Sequence, residues 1–228
     1  MNLCVIPARG GSKRIPRKNI RSFAGKPMIA WSIEAALAAG VFDAVVVSSD
    51  DEEIAAVAKS LGAETPFVRP AELCDDHIAT MPVIAHAIRW WEEHRGAVDY
   101  CCCVYATAPF LQLEFLRKGL DLLLEKPEAE FSFSVTSYAF PVFRALRNTE
   151  SGRVEMFWPE NELKRSQDLP EAWHDAGQFY WGRRDAFLGQ NGFFSARSYP
   201  VVLPRHLVQD IDTAEDWDRA EKMFSVRR

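Results

Sequence analysis

Short continuous apolar runs alternate with segments of helical period through most of the first 135 residues, and this alternation restricts the fold more than any other feature of the chain. The runs at 3–6, 44–47 and 100–105 carry apolar residues at successive positions, so both faces of each strand need cover, and 131–135 reads as another strand. Between them, 27–39 places Ile29, Ile33, Ala36 and Leu37 at helical spacing, with Pro27 in its first turn and Gly40 past its end. A second helix is expected over 51–61, capped by Ser49 or Asp50 and stopped by Gly62. The spacing predicts further helices over 82–94, with Ile84, Ala87, Ile88 and Trp91 on one face, and over 113–125. Residues 65–68 read as one more short strand. The order implies an α/β fold with a mostly parallel sheet and helices on both faces. Ligands of such sheets bind beyond the carboxyl ends of the strands.

The pattern breaks over 138–164, which holds Pro141, Pro159 and the large aromatics Phe140, Phe143, Phe157 and Trp158 without a clean period. Such side chains on an irregular arm need a partner to bury them, so a dimer contact is expected there. Strands resume at 179–181 and 201–203, then an extended 209–212 leads to a helix over 214–224. Thr213 and Asp216 have the spacing of a capping box for it. The length suits one domain, 1–228, with the arm inside it. No stretch approaches the ~18 apolar residues of a membrane span, and the first residues do not read as a secretory signal. Of the five cysteines, Cys101, Cys102 and Cys103 are consecutive on a strand and point to alternate faces, a poor chelating set. Together with Cys4 and Cys74 they read as reduced thiols, and a cytoplasmic protein is expected.

Charge is distributed unevenly. Arg9, Lys13, Arg14, Arg17, Lys18, Arg21 and Lys26 precede the first acidic residue, Glu34. The formal net charge is -5, so the remainder stands at -12, with 20 basic against 32 acidic residues. This cluster follows the first strand on a loop bearing Gly10 and Gly11, where backbone N–H groups can approach phosphate oxygens. A nucleoside triphosphate fits best; a solvated basic face or a nucleic-acid patch are the other readings. The acidic total argues against general nucleic-acid binding. The loop is not a Walker A, because Ile20 stands at the first glycine position and Pro27 follows Gly25-Lys26, and it is not G-x-G-x-x-G.

Asp210 and Asp212 form a second constellation. On an extended segment they project to one face, with Ile211 turned inward. Paired carboxylates beside a triphosphate suit Mg²⁺, with Mn²⁺ as an alternative; a capped loop before a helix is the other reading. Lys13, Arg14, Arg17 and Arg21 are expected to be mostly solvated, with one or two reaching phosphate, and Lys26 to cover the helix start. Asp50 and Asp51 suit helix capping better than metal binding. His174 and Asp175 face opposite ways on a strand, which disfavours a direct acid–base dyad and leaves a substrate contact from either. His77, His86, His94 and His206 lack metal-ligand spacing.

Taken together, these residues resemble the CMP-sialic acid synthetase family, cytidylyltransferases that activate nonulosonic acids. The likeness runs from Leu3 to about Phe224. It is carried by Ile-Pro-Ala-Arg-Gly-Gly-Ser-Lys-Arg-Ile-Pro-Arg-Lys-Asn-Ile ending at Ile20, by Arg69-Pro70-Ala71-Glu72-Leu73, and by Asp210-Ile211-Asp212. The finer match is to the branch that acts on pseudaminic acid, through residues 105–110, 165–171 and 173–181. The sialic acid branch typically reads Q-P-T-S-P where this chain has Tyr105-Ala106-Thr107-Ala108-Pro109, and N-G-A-I-Y where it has Ala176-Gly177-Gln178-Phe179-Tyr180.

The resemblance implies a Rossmann-like nucleotidyltransferase fold and the reaction CTP + nonulosonate → CMP-nonulosonate + pyrophosphate, dependent on Mg²⁺. It implies that Arg9 and Lys18 face the phosphates, that Ala8, Gly10, Gly11 and Ser12 belong to the nucleotide loop, and that Asn19 lies near the ribose. Arg69 and Thr80 fall at positions lining the cytosine pocket, and Asp210 and Asp212 at the metal. Arg165 is expected at the sugar carboxylate, with Tyr105, Thr107, Gln167, Gln178 and Tyr180 shaping the sugar pocket. Arg9, Lys18, Asp210 and Asp212 are the expected catalytic set. A homodimer exchanging its arm is implied too. N-acetylneuraminate or legionaminate synthetases are the alternatives within the family; outside it, a nucleotide-binding regulator.

Overall fold

A computed structural model of the chain describes residues 1–75 and 78–226. His77, read above as lacking metal-ligand spacing, lies outside the described residues. The elements run β1 (Asn2–Pro7), β2 (Ser22–Phe23), β3 (Lys26–Pro27), α1 (Met28–Ala39), β4 (Ala44–Ser48), α2 (Glu52–Ser60), α3 (Thr80–His94) and β5 (Tyr100–Val104). They continue with α4 (Leu113–Glu125), β6 (Phe131–Ser137), β7 (Leu146–Asn148), β8 (Val154–Met156), β9 (Trp173–Arg183), α5 (Arg184–Leu188), β10 (Ser198–Val202) and α6 (Ala214–Ser225). Six strands form the central sheet in the order β10-β6-β9-β5-β1-β4. β1 pairs parallel with β4 and β5, and β10 parallel with β6; β9 runs antiparallel between β5 and β6.

The two faces of the sheet carry separate cores. Cys4, Ile6, Val45, Val47 and Cys102 pack with Ile29 and Ile33 of α1, Ile54 of α2 and Leu116 and Leu120 of α4. On the other face Leu3, Val5, Val46, Cys101 and Cys103 meet Ile84 and Ile88 of α3 and Phe187 of α5. The parallel strands are buried on both sides, as their unbroken apolar runs require. The cysteine triplet divides between the two cores, and burial pushes these thiols above the ordinary range. The free cysteines Cys4, Cys101, Cys102 and Cys103 are buried, and Cys74 is partly so. A third cluster joins Ile15 and Phe23 of the basic loop to Trp217 and Ala220 of α6.

Several boundaries differ from expectation. No strand forms over 65–68; only Glu64 bridges Val46, and Pro66, lacking an N–H, cannot continue a ladder along the β4 edge. The strand expected at 179–181 extends over Trp173–Arg183, and the one at 201–203 over Ser198–Val202. The extra length of β9 was obscured because Gly177, at φ +61°, and a register shift opposite 133–135 interrupt its alternation. Helix α3 starts at Thr80, and Pro27 stands just outside α1. Segment 209–212 belongs to no sheet. Thr213 and Asp216 close the expected capping box on α6. The arm is less irregular than its composition suggests: β7 and β8 form a two-stranded ribbon, with Gly152 at φ +76° in its turn. Among the described residues no helix is long and apolar enough to cross a membrane.

Candidate active site

The chain leaves β1 at Pro7 and enters the basic loop at the carboxyl edge of the sheet. Buried Ala8 extends the parallel pairing through its N–H to Ser48 O, at 2.9 Å. The Gly10 N–H then donates to Asp50 Oδ1 at 2.9 Å. A Cβ at Gly10 would lie 2.6 Å from Asp51 Oδ2, so only glycine fits against this carboxylate. The Ser12 N–H turns back to Gly10 O at 3.0 Å. Two of the backbone donors expected to meet phosphate therefore close the loop on itself. Gly11 differs: its φ is not positive and a Cβ would meet no protein atom within 4 Å. The space beside this exposed glycine is open.

The cations divide into anchors and lining groups. Arg17, at φ +56°, grips Asp51 with both guanidinium nitrogens, at 2.5 and 3.0 Å, and also reaches Glu53. Asp51 simultaneously caps α2, accepting from Ile54 N at 3.0 Å. The bond from Arg17, then the cap bond, hold this carboxyl below its usual range despite partial burial. Asp51, and not Ser49 or Asp50, is thus the cap. It also fastens the loop, a role that the capping reading alone missed. Arg21 stacks on Trp217, 4.6 Å from its ring centre, and Lys26 covers Trp31 at 3.5 Å while pairing with Glu34. Arg9, Lys13, Arg14 and Lys18 instead line a cleft of about 610 Å³.

The same cleft is lined by Arg69, Leu73, Asp75, Ile78, Thr80 and Val83, and by Tyr105, Ala106 and Thr107 after β5. Arg69 is buried: its Nε donates to Ser48 Oγ at 3.1 Å and an Nη to Ser48 O. Asn19, also buried, donates to Arg9 O at 3.0 Å. Lys18 Nζ donates to Ile211 O at 2.6 Å and lies 3.4 Å from Asp212 Oδ1, while Arg14 reaches Asp212 Oδ2 at 3.0 Å. Crowding around the Asp210 carboxylate, then the neighbouring Asp212 charge, raise its proton affinity. This unfavourable proximity of two carboxylates, partly offset by Lys18, is the donor chemistry that a hard divalent cation relieves. Among the described residues no three His, Cys, Asp or Glu side chains cluster as a metal site, so any ion would take its other ligands from phosphate and water.

The expected sugar residues are dispersed. Tyr105 and Thr107 line the cleft; Tyr180 packs behind Tyr105, with ring centroids 5.3 Å apart. Gln178 is buried, donating Nε2 to Leu207 O at 2.5 Å, with Oε1 unpartnered. Arg165 and Gln167 are exposed and do not line the cleft of their own chain. Arg165 there forks onto Asp168 at 2.7 and 2.9 Å. His174 and Asp175 make no side-chain dyad: His174 Nδ1 meets the Asp175 backbone oxygen at 2.8 Å.

Because Asp51 does two jobs, they can be separated. Serine is also a good helix cap but cannot hold Arg17 in a fork. Asp51→Ser should keep the cap of α2 but lose the fork, lowering the melting temperature by a few degrees and weakening nucleotide binding by about 5–20-fold, the scale of a lost charge-assisted pair of ~1–2 kcal/mol. Calorimetric titration beside a thermal melt checks this; unchanged binding would make the clamp irrelevant to the loop.

A mostly parallel sheet with a glycine-bearing, cation-lined cleft at its carboxyl edge defines a phosphate-binding α/β protein of the nucleotide-handling class. The chain matches the family model described as Cytidylyltransferase over residues 3–226, and it belongs to that family. It is 46% identical to the pseudaminic acid cytidylyltransferase of Campylobacter jejuni, across 99% of this chain and 97% of that one. It is 28% identical to the CMP-N,N'-diacetyllegionaminic acid synthase of Legionella pneumophila, over 99% and 97% of the two chains. In fold it resembles a solved CMP:2-keto-3-deoxy-manno-octonic acid synthetase complexed with CTP, with TM-score 0.71 and 17% identity over 100% and 99% of the chains.

Proposed function

We propose that the protein transfers CMP from CTP to a nonulosonic acid, pseudaminic acid above others, releasing pyrophosphate. The observation that carries this reading is the cleft, where Arg9, Lys18, Arg69, Thr80 and Asp212 converge from four separate segments. Near-full-length similarity to a pseudaminic acid cytidylyltransferase supports the choice of sugar. The sugar's C2 hydroxyl oxygen forms a bond to the α-phosphorus, its proton passes to solvent, and the α–β bridging bond breaks. Charge grows on pyrophosphate as it leaves, so positioning and neutralisation are the protein's main tasks. Arg9 and Lys18 supply countercharge, Gly11 leaves space for the phosphates, and buried Asn19 holds the loop backbone beside the ribose. Arg69 and Thr80 face the base. Asp210 and Asp212 would hold Mg²⁺, which when bound neutralises the triphosphate and its leaving group. The assay is pyrophosphate release with CTP, Mg²⁺ and a panel of nonulosonic acids. Turnover greatest with pseudaminic acid is expected; none with any member would overturn the reading.

We further propose one catalytic domain whose arm, 138–164, reaches a second copy of the chain. The arm exposes Phe140, Leu146, Phe157 and Leu163, and its own fold leaves them uncovered. Arg165, which does not line its own cleft, would then serve the partner's sugar site, and the cytosol is the compartment proposed for the reaction, where the buried reduced thiols fit. Replacing Phe157 and Trp158 together by Ser should raise the dimer dissociation constant at least ~10-fold, the loss expected for aromatic interface anchors. Sugar affinity should fall with it while CTP binding persists. A fully active micromolar monomer in sedimentation would remove both the dimer and the shared pocket.

A further inference from the structure

Asp210 and Asp212 sit on a segment that belongs to no sheet, so their position depends on bonds other than a strand ladder. The chain leaves β10 at Val202, and Leu203 is still tied to β6. The Leu203 N–H donates to Val135 O at 2.8 Å, and its carbonyl accepts from the buried Thr136 hydroxyl at 2.8 Å. A short helical turn, Arg205–Leu207, then leads the chain off the sheet. Beyond the pair, Asp216 Oδ2 accepts from Asp212 N at 3.2 Å while it caps α6. Between these ends Gln178 reaches out from β9, its Nε2 donating to Leu207 O at 2.5 Å. Leu207 and Ile211 bury their side chains in the same cluster, and Lys18 Nζ holds Ile211 O at 2.6 Å. Leu207 lies three residues before Asp210, at most ~10 Å of extended chain. A shift at Leu207 therefore reaches the pair with little slack to absorb it.

The Gln178 amide has one orientation open to it. Turned round, its oxygen would face the Leu207 oxygen, acceptor against acceptor, so the nitrogen must lie there. This leaves Oε1 buried without a partner, in a side chain 3% exposed. A half-satisfied buried amide costs stability, and an unbranched apolar side chain of the same length would fill the space without that cost. The bond to Leu207, and not packing, accounts for the amide. Gln178 does not line the cleft, so it acts on what binds there through the segment it holds.

We infer that Gln178 is a positioning residue for the carboxylate pair: by holding Leu207 O it sets where Asp210 and Asp212 stand at the cleft. This assigns it a role other than the sugar contact expected from the sequence. The inference rests on the reading above that the pair holds Mg²⁺. That ion demands near-ideal octahedral geometry, so carboxylates free to drift bind it poorly even when both are present.

The test is calorimetric titration of CTP, with and without Mg²⁺, into the full-length protein and its variants. The quantity read is the ratio of the two CTP affinities. Gln178→Met keeps the length of the side chain and removes the unpaired Oε1 together with the bond, so the melting temperature should stay within a few degrees of wild type. CTP affinity without metal should stay within twofold. The Mg²⁺-dependent ratio should fall by about 10-fold, the scale of one ordinary hydrogen bond. Thr136→Val breaks a comparable buried bond to the same segment, but seven residues before Asp210, and should leave the ratio within twofold. A wild-type ratio in Gln178→Met overturns the inference, whether or not the KM for the sugar has risen. An equal loss of the ratio in Thr136→Val also overturns it, because general loosening then explains both. Wild-type CTP affinity that ignores Mg²⁺, or a full Mg²⁺ response in Asp212→Asn, overturns the metal reading and this inference with it.

Discussion

Asp212→Asn should lower turnover by ~10²-fold or more at saturating CTP and sugar, because it removes one charge from the pair proposed to hold the metal. The magnitude also reflects the neighbours of this carboxylate. Arg14 and Lys18 both reach it, so the substitution releases two lining cations of the cleft as well. The loss should be partly restored by raising Mg²⁺, and the fold should be retained, since Thr213 and Asp216 cap α6 without it. Measuring kcat against Mg²⁺ concentration, with circular dichroism as control, decides the point. Full activity at limiting Mg²⁺ would reduce the Asp210–Asp212 pair to a loop-capping device.

Arg9→Ala should cost about 2–4 kcal/mol of transition-state stabilisation, the range found when a preorganised group facing developing charge is deleted. Arg9 lines the cleft, and an Nη donates to Cys74 O at 3.4 Å, which ties it to the segment bearing Leu73 and Asp75. Its backbone oxygen accepts from buried Asn19, so the main chain at this position is fixed independently of the side chain. The substitution should therefore remove charge without collapsing the loop. Kinetics over a CTP series separate the alternatives: a fall in kcat marks a group acting on the leaving phosphates, and a rise in KM alone marks a binding residue.

How far these features could be read beforehand depended on whether the cause was local. Strands β1, β4 and β5 were legible because burial on both faces leaves an unbroken apolar run, and the capping box because two residues three positions apart suffice to make it. Strand 65–68 failed on Pro66, where a local apolar pattern met a missing donor. Most of β9 was missed because its register is set by β5 and β6 from both sides, and Gly177 breaks the alternation. In the site, Arg9, Lys18, Asn19, Arg69, Thr80 and Asp212 were placed by motif, and the structure brings them to one cleft or its lining. The clamp of Arg17 on Asp51 was not foreseen: a charge run says how many cations there are, not which find carboxylates on another element. The bond from the Tyr180 hydroxyl to Asp175 was equally hidden: the two lie five residues apart on β9, with Gly177 at φ +61° between them.

The antiparallel course of β9 has a consequence for how such a protein can change. Because β9 runs against both neighbours, the carboxyl end of β6 and the amino end of β9 meet at the same edge, with Ser137 opposite Trp173. The whole arm is therefore spliced in at a single pair of adjacent points, on the edge where the cleft opens. Lengthening, shortening or replacing it alters no strand order and no helix packing. Chains of this architecture can in this way differ in the arm while keeping the strands and helices around the cleft, and the same two junctions are where an engineer would graft a different arm.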